Sequence, residues 1–155
     1  MNVVIIGANR GIGLELAKEY KNLNFNVIGT SRNPLSSISL QEEIGLENIL
    51  PLDISDSNSI EEFCDSIIKK TKSKIDIFIN NAGSRGEKGR IEVPNQKVML
   101  DTINTNAIGP TILIKSLKSI LEKSKIAIIT SGMGSIKKTM SGDLSYRISK
   151  AAVNM

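Results

Sequence analysis

The sequence contains no histidine and no tryptophan. Without histidine there is no imidazole to activate a serine or cysteine, and the commonest zinc ligand is missing. Ser-His-Asp hydrolysis and most zinc sites are therefore excluded. Two tyrosines and three phenylalanines are the only aromatic residues. They are too few for a base-stacking platform, so no nucleic-acid partner is expected. A single cysteine, Cys64, rules out an internal disulfide. It falls at an apolar position of a helical pattern and reads as a buried, inert thiol. The N-terminal apolar run "VVII" is only four residues long and leads into glycines, so no membrane span or secretory signal is read there and a cytoplasmic location is expected. The net charge of +4 is spread along the chain. Lys69, Lys70, Lys72 and Lys74 fall where a helix ends and read as a solvated face that complements the helix dipole.

What is present is a soluble, globular composition, 40% apolar and 23% charged over 155 residues. That length suits one domain, residues 1–155. Short runs rich in Ile, Val and Leu, at 2–6, 26–31, 48–53, 74–80 and 125–131, read as strands buried on both faces. Helical patterns lie between them. Ile12, Leu16, Tyr20 and Leu23 follow helix spacing, as do Ile60, Phe63, Cys64, Ile67 and Ile68. A short helix is expected around 39–44. A long one is expected over about 95–122, with Leu113, Leu117, Ile120 and Leu121 inward and a kink at Pro110. The alternation predicts an α/β fold with a doubly wound parallel sheet in three α/β/α layers.

The turn after the first strand reads "IIGANRGIGLELAKEY". Gly7, Gly11 and Gly13 there permit tight turning and close backbone approach to a pyrophosphate, and the following helix N-terminus offers unpaired N–H groups. The spacing is G-x-x-x-G-x-G, different from the usual dinucleotide fingerprint G-x-G-x-x-G. At the end of the second strand, an acidic residue would bond the 2′-hydroxyl of NAD. Ser31 and Arg32 stand there instead. Arg32, with Arg10 in the glycine turn, can bind a 2′-phosphate, so NADP is expected over NAD.

Four features occur in order: "GANRGIG" at 7–13, "NNAG" at 80–83, "NTNAIG" at 104–109 and "YRISK" at 146–150. With these, the chain resembles the short-chain dehydrogenase/reductase family over its whole length. "TSGMGSI" at 130–136 and "YRISKAAVNM" at the end look most like its C-factor-like and sniffer-like carbonyl reductases. The resemblance implies a Rossmann-type sheet in which strands 3-2-1-4-5 are present and the family's last strands are missing. In that order the fifth strand is an exposed edge. The resemblance also implies further chain after residue 155, including the loop that shapes the substrate pocket. Full-length members are often homo-oligomeric.

Carried over residue by residue, the resemblance implies that Gly7, Asn9, Arg10, Gly11, Ile12 and Gly13 cradle the cofactor. Ser31 and Arg32 lie at its ribose. Asp53 and Ile54 lie near the adenine, and Asn80, Ala82 and Gly83 line the adenosine side. Asn106, Ser131, Tyr146 and Lys150 match the catalytic set, with Tyr146 and Lys150 also touching the cofactor. Two departures stand out. The threonine that usually precedes the first glycine is Ile6, which implies one lost hydrogen bond. Ser131 lies 15 residues before Tyr146, slightly more than usual, which leaves Ser135 as an alternative serine.

The implied reaction is hydride transfer between NADPH and a small carbonyl or alcohol substrate. Tyr146 would donate or remove the proton. Free tyrosine titrates near ~10, so it needs a nearby cation. Lys150, four residues on, shares its helix face at roughly 6 Å between Cβ atoms. Ser131 would hold the substrate oxygen. Asn106 would keep a helix kink open for a water relaying protons to Lys150. The alternative function is a nucleotide-binding fragment or sensor without turnover.

Overall fold

A computed structural model describes residues 1–87, 95–138 and 141–155. These residues form two compact units, one of residues 1–82 with 113–129, the other of residues 83–112 with 130–155.

The first unit holds five parallel strands: β1 (Asn2–Ile6), β2 (Asn26–Ser31), β3 (Ile49–Pro51), β4 (Ile77–Asn80) and β5 (Lys125–Ile128), in the order β3-β2-β1-β4-β5. Register places Val3 beside Val27 and Ile77, and Ile6 beside Asn80. Successive side chains of β1 point to opposite faces. Val3 and Ile5 join Ala17, Leu40 and Ile44, from α1 (Gly11–Asn22) and α2 (Ile38–Ile44), in one core. Val4 and Ile6 join a second core with Ile60, Phe63 and Ile67 of α3 (Ser57–Thr71) and with Leu113, Leu117 and Leu121. A sheet with a separate core on each face is the three-layer arrangement expected of a doubly wound fold. Cys64 lies in the second core, where desolvation first, and then Asp65 and Glu61, push its thiol above the ordinary value.

Three expectations are corrected. The buried face of α1 is Gly13 and Ala17, with Leu14, Leu16 and Tyr20 packed beside it, whereas Ile12 and Leu23 are 62% and 64% exposed. Small residues let this helix lie close to the sheet, so Leu16 and Tyr20 of the expected face pack beside the contact while Ile12 and Leu23 do not reach it. β5 is not buried on both faces. It is the sheet edge, and all four of its residues are exposed, in keeping with the edge position implied by the family's strand order. The long helix is not one helix kinked at Pro110. It consists of α4 (Gln96–Ile103), a single π turn (Asn104–Ile108), α5 (Gly109–Ser116) and α6 (Lys118–Leu121). Pro110 has no N–H for the Asn106 carbonyl and its ring crowds that group. The chain widens just before it, and the Gly109 N–H donates to Asn104 O five residues back.

The second unit contains α4, the π turn and α7 (Leu144–Asn154), which ends the chain. Small side chains make the α4–α7 contact close. Ser145 and Ser149 are fully buried, and a Cβ on Gly86 would come within 2.5 Å of Thr102 Oγ1 and 3.3 Å of Ser145 Cβ. Of the segment between Ser131 and Tyr146, residues 139 and 140 lie outside the described residues.

Candidate active site

The first unit holds the glycine turn expected to cradle a nucleotide. β1 ends at Ile6, and Gly7 turns the chain with φ +76. A Cβ there would lie 2.9 Å from Ala82 Cα, and one on Gly13 would lie 2.2 Å from the Gly7 carbonyl oxygen. Glycine is therefore required at both positions by close backbone approach. Gly11 differs: its φ is +56, but a Cβ there would meet nothing within 4 Å, so the mouth of the turn is open. Arg10 precedes α1 in extended conformation, and no side chain caps the helix. Its first N–H groups are available to an anion, aided by the helix dipole.

Two residues outside the expected set hold this turn. Thr30 Oγ1 accepts from the Gly7 N–H at 2.9 Å. It supplies from β2 a side-chain bond to the turn that Ile6 cannot make. Asn81 Nδ2 donates to the Gly7 carbonyl at 2.7 Å, tying the end of β4 to the glycines. Asn81 was legible as the second residue of "NNAG". Thr30 had no sequence signal.

At the strand ends, Asn80 is buried and its Oδ1 has no hydrogen-bond partner among the described residues. An orphaned buried acceptor beside an open glycine turn fits a bound nucleotide. Asn9, Arg10 and Arg32 are exposed. Ser31 Oγ accepts from the Asn33 N–H and the Ser37 hydroxyl, so this serine shapes the turn beneath Arg32. Asp53 accepts from the Ser55 hydroxyl and N–H. Those bonds, and more weakly the charge of Arg32, hold its carboxyl below the ordinary range. Ile54 is in the core, so only its main chain can serve a ligand.

The second unit holds the four residues expected to form the catalytic set, Asn106, Ser131, Tyr146 and Lys150. Tyr146 and Lys150 share one face of α7, and Lys150 Nζ lies 5.7 Å from the Tyr146 ring centroid. Lys150 is only 4% exposed, and burial pushes its ammonium below the ordinary value. A Cβ on Gly83 would sit 3.7 Å from Lys150 Nζ and 3.2 Å from Asn106 Oδ1. Asn106, in the π turn, is buried and bonded on both ends of its amide. Oδ1 accepts from the Ser84 N–H at 2.6 Å, while Nδ2 donates to Ser84 O at 2.7 Å and Ser149 Oγ at 2.8 Å. Ser131 Oγ accepts from the Met133 N–H at 3.1 Å and opens a short turn, Gly132–Gly134. That turn packs on α7, since a Cβ on Gly134 would meet the Lys150 carbonyl at 2.6 Å. Ser135 follows it, and its Oγ accepts from the Lys138 N–H.

Residues 1–155 match the sequence profile of the family described as short chain dehydrogenase. The chain belongs to that family. Among solved structures, it is similar to the carbonyl reductase Sniffer of D. melanogaster, with a TM-score of 0.86 and 29% identity, covering 99% of this chain and 71% of that one. It is similar to the NADPH-bound carbonyl reductase from chicken fatty liver, with a TM-score of 0.85 and 32% identity, covering 99% and 66%. An NADPH-dependent pterin aldehyde reductase of Arabidopsis thaliana is 28% identical over 138 residues, 85% of this chain and 57% of that protein. The chain spans about half the length of the curated relatives it matches. Among the described residues no group of His, Cys, Asp or Glu could hold a metal, and no helix is long and apolar enough to cross a membrane.

Proposed function

We propose that this chain carries the cofactor cradle and proton-donating residues of an NADP(H)-dependent reductase of small carbonyl compounds. The observation that carries the reading is the Tyr146–Lys150 pair, with its buried ammonium 5.7 Å from the phenol ring. NADP(H) is favoured by Arg32, exposed where an acidic residue would select NAD. The relatives support it, one named NADPH-dependent and one solved with NADPH bound.

Gly7, Asn9, Arg10, Gly11, Ile12 and Gly13 would hold the diphosphate and Arg32 the 2′-phosphate. Asp53, the Ile54 main chain, Asn80, Ala82 and Gly83 would line the adenosine side, and Lys150 would reach the nicotinamide ribose. When bound, the cofactor supplies the hydride to the carbonyl carbon. Tyr146 gives its phenolic proton to the carbonyl oxygen as charge develops there. Ser131 has its oxygen fixed by the Met133 N–H, which leaves the hydroxyl hydrogen to donate to the same substrate oxygen. Lys150 places positive charge beside the phenol and favours its ionised form. Asn106 acts as a positioning residue. Both of its amide hydrogens are engaged, so a relay water would bind its main-chain carbonyl, to which Pro110 offers no N–H.

The test is Tyr146→Phe with NADPH and a panel of aldehydes, ketones and quinones. Reduction should fall by at least about 100-fold, the scale of losing a general acid, while NADPH binding stays within a few-fold of the parent. An active Tyr146→Phe variant would overturn the proton-donor role. NADPH binding without turnover in the parent would leave nucleotide binding as the function of these residues.

A further inference from the structure

The turn that carries Arg32 is built around a buried pair of hydroxyl groups. Ser31 ends β2, a single helical turn, Pro34–Ser36, follows, and Ser37 leads into α2. Ser31 and Ser37 are both buried, with their Oγ atoms 2.7 Å apart. The Asn33 N–H donates to Ser31 Oγ at 3.2 Å. Gln41 of α2 holds the turn from its other end, where Nε2 donates to Pro34 O at 2.8 Å and Leu35 O at 3.0 Å. Arg32 is exposed inside this frame, and its side chain makes no hydrogen bond or close ion pair among the described residues.

The donors of this turn outnumber the lone pairs that face them. A hydroxyl has one hydrogen to give and two lone pairs to fill, and a carbonyl oxygen has two lone pairs. Ser37 has two acceptors in reach, Ser31 Oγ at 2.7 Å and Asn33 O at 2.9 Å. The shorter contact takes its hydrogen. Both lone pairs of Ser31 Oγ are then filled, one by the Asn33 N–H and one by Ser37, so Ser31 can only give. Its acceptor within the turn is Asn33 O at 3.2 Å. Ser36 already brings its N–H, at 3.3 Å, and its hydroxyl, at 3.1 Å, to that oxygen. The Asn33 carbonyl has no lone pair to spare, which leaves the Ser31 hydrogen as the surplus donor, one residue from Arg32.

We propose that Ser37 is a positioning residue for the 2′-phosphate of NADP(H): by filling the second lone pair of Ser31, it makes the Ser31 hydroxyl a donor to the phosphate. Ser37 itself touches no ligand. The oxygens of a phosphate dianion accept, and a serine lone pair turned toward them repels. The 2′-hydroxyl of NAD both gives and accepts, so Ser31 serves it in either orientation. The buried hydroxyl pair therefore discriminates between the two nucleotides by the direction of one hydrogen bond, separately from the charge of Arg32.

This inference rests on NADP(H) being the cofactor. It is read from binding alone, with the fluorescence of NADPH and NADH bound to the full chain. Ser37→Ala frees a lone pair on Ser31. It should weaken NADPH roughly fivefold, the scale of a bond to a charged group partly replaced by water, and leave NADH within about twofold. In a Ser31→Ala background the same change should move NADPH by less than about twofold, because the hydroxyl it orients is gone. Unchanged NADPH affinity in Ser37→Ala overturns the role. So does an equal loss for both nucleotides, which would mark Ser37 as structural only. Ser37→Ala also leaves a buried hydroxyl short of a partner. Should that chain fail to fold, the double variant Ser31→Ala, Ser37→Ala removes both hydroxyls together and is compared with Ser31→Ala alone. Matching NADPH affinities are expected, and a further loss of about fivefold in the double variant overturns the coupling. If Arg32→Ala weakens NADPH while Ser37→Ala does not, this inference fails and the cofactor reading stands. If the parent chain binds NADPH no better than NADH, the cofactor reading itself fails, and this inference with it.

Discussion

Gly13→Ala tests how closely the cradle is built. Gly13 is buried in the first turn of α1. An added Cβ would lie 2.2 Å from Gly7 O, 2.6 Å from Asn81 Nδ2 and 3.0 Å from Ala8 Cα. Two of these are backbone atoms, which yield only if the helix moves off the turn. The third donates to the same Gly7 carbonyl at 2.7 Å, so the methyl group would intrude on that hydrogen bond. Overpacking costs about 1–3 kcal/mol, and fixed backbone obstacles place this case at the upper end. Losing the hydrogen bond adds about 1 kcal/mol. Replacing glycine by alanine inside a helix returns up to about 1 kcal/mol. The net expectation is a loss of about 3 kcal/mol. Urea unfolding followed by far-ultraviolet circular dichroism reads it directly. With a slope of about 2 kcal/mol/M, the midpoint should fall by roughly 1.5 M while the slope stays unchanged. In an Asn81→Ala background one obstacle and the hydrogen bond are already gone, and the same substitution should cost about 1 kcal/mol less. A Gly13→Ala chain within about 0.5 kcal/mol of the parent would refute the close approach on which the cradle is argued.

Thr30→Val keeps the volume but leaves the Gly7 N–H without its acceptor. It should destabilise by about 1–3 kcal/mol, and a null result in the same urea assay would show that Thr30 does not stand in at Ile6. Arg32→Ala should weaken NADPH about tenfold or more, the worth of a charge-assisted bond, and leave NADH within a few-fold, read from the fluorescence of the bound nucleotide. Equal losses for both would remove Arg32 from the 2′-phosphate. Burial lowers Lys150 from the ordinary 10.5. Between its lowered value and 10.5, the unfolded chain holds the proton more often than the folded one, so this group's contribution to stability rises with pH across that window. Below it, the full cost of burying the ammonium applies. Lys150→Met should therefore flatten the stability–pH profile on the alkaline side, and an unchanged slope would contradict the desolvation.

The sheet was legible because its strands carry near-continuous Ile, Val and Leu, and β1 is buried on both faces. The glycine turn was legible because glycine has few other reasons to recur between a strand and a helix. The inner face of α1 was legible only in part. Leu16 and Tyr20 pack on the core as their spacing suggests, but the closest contact is made by Gly13 and Ala17, which periodicity weighted by large side chains passes over. The π turn was visible only as a disturbance, since Pro110 announces that a helix is broken and not how the chain repairs it. Thr30 escaped for a different reason. Its partner lies 23 residues away, and no local pattern marks which polar side chain a fold will bring to which backbone.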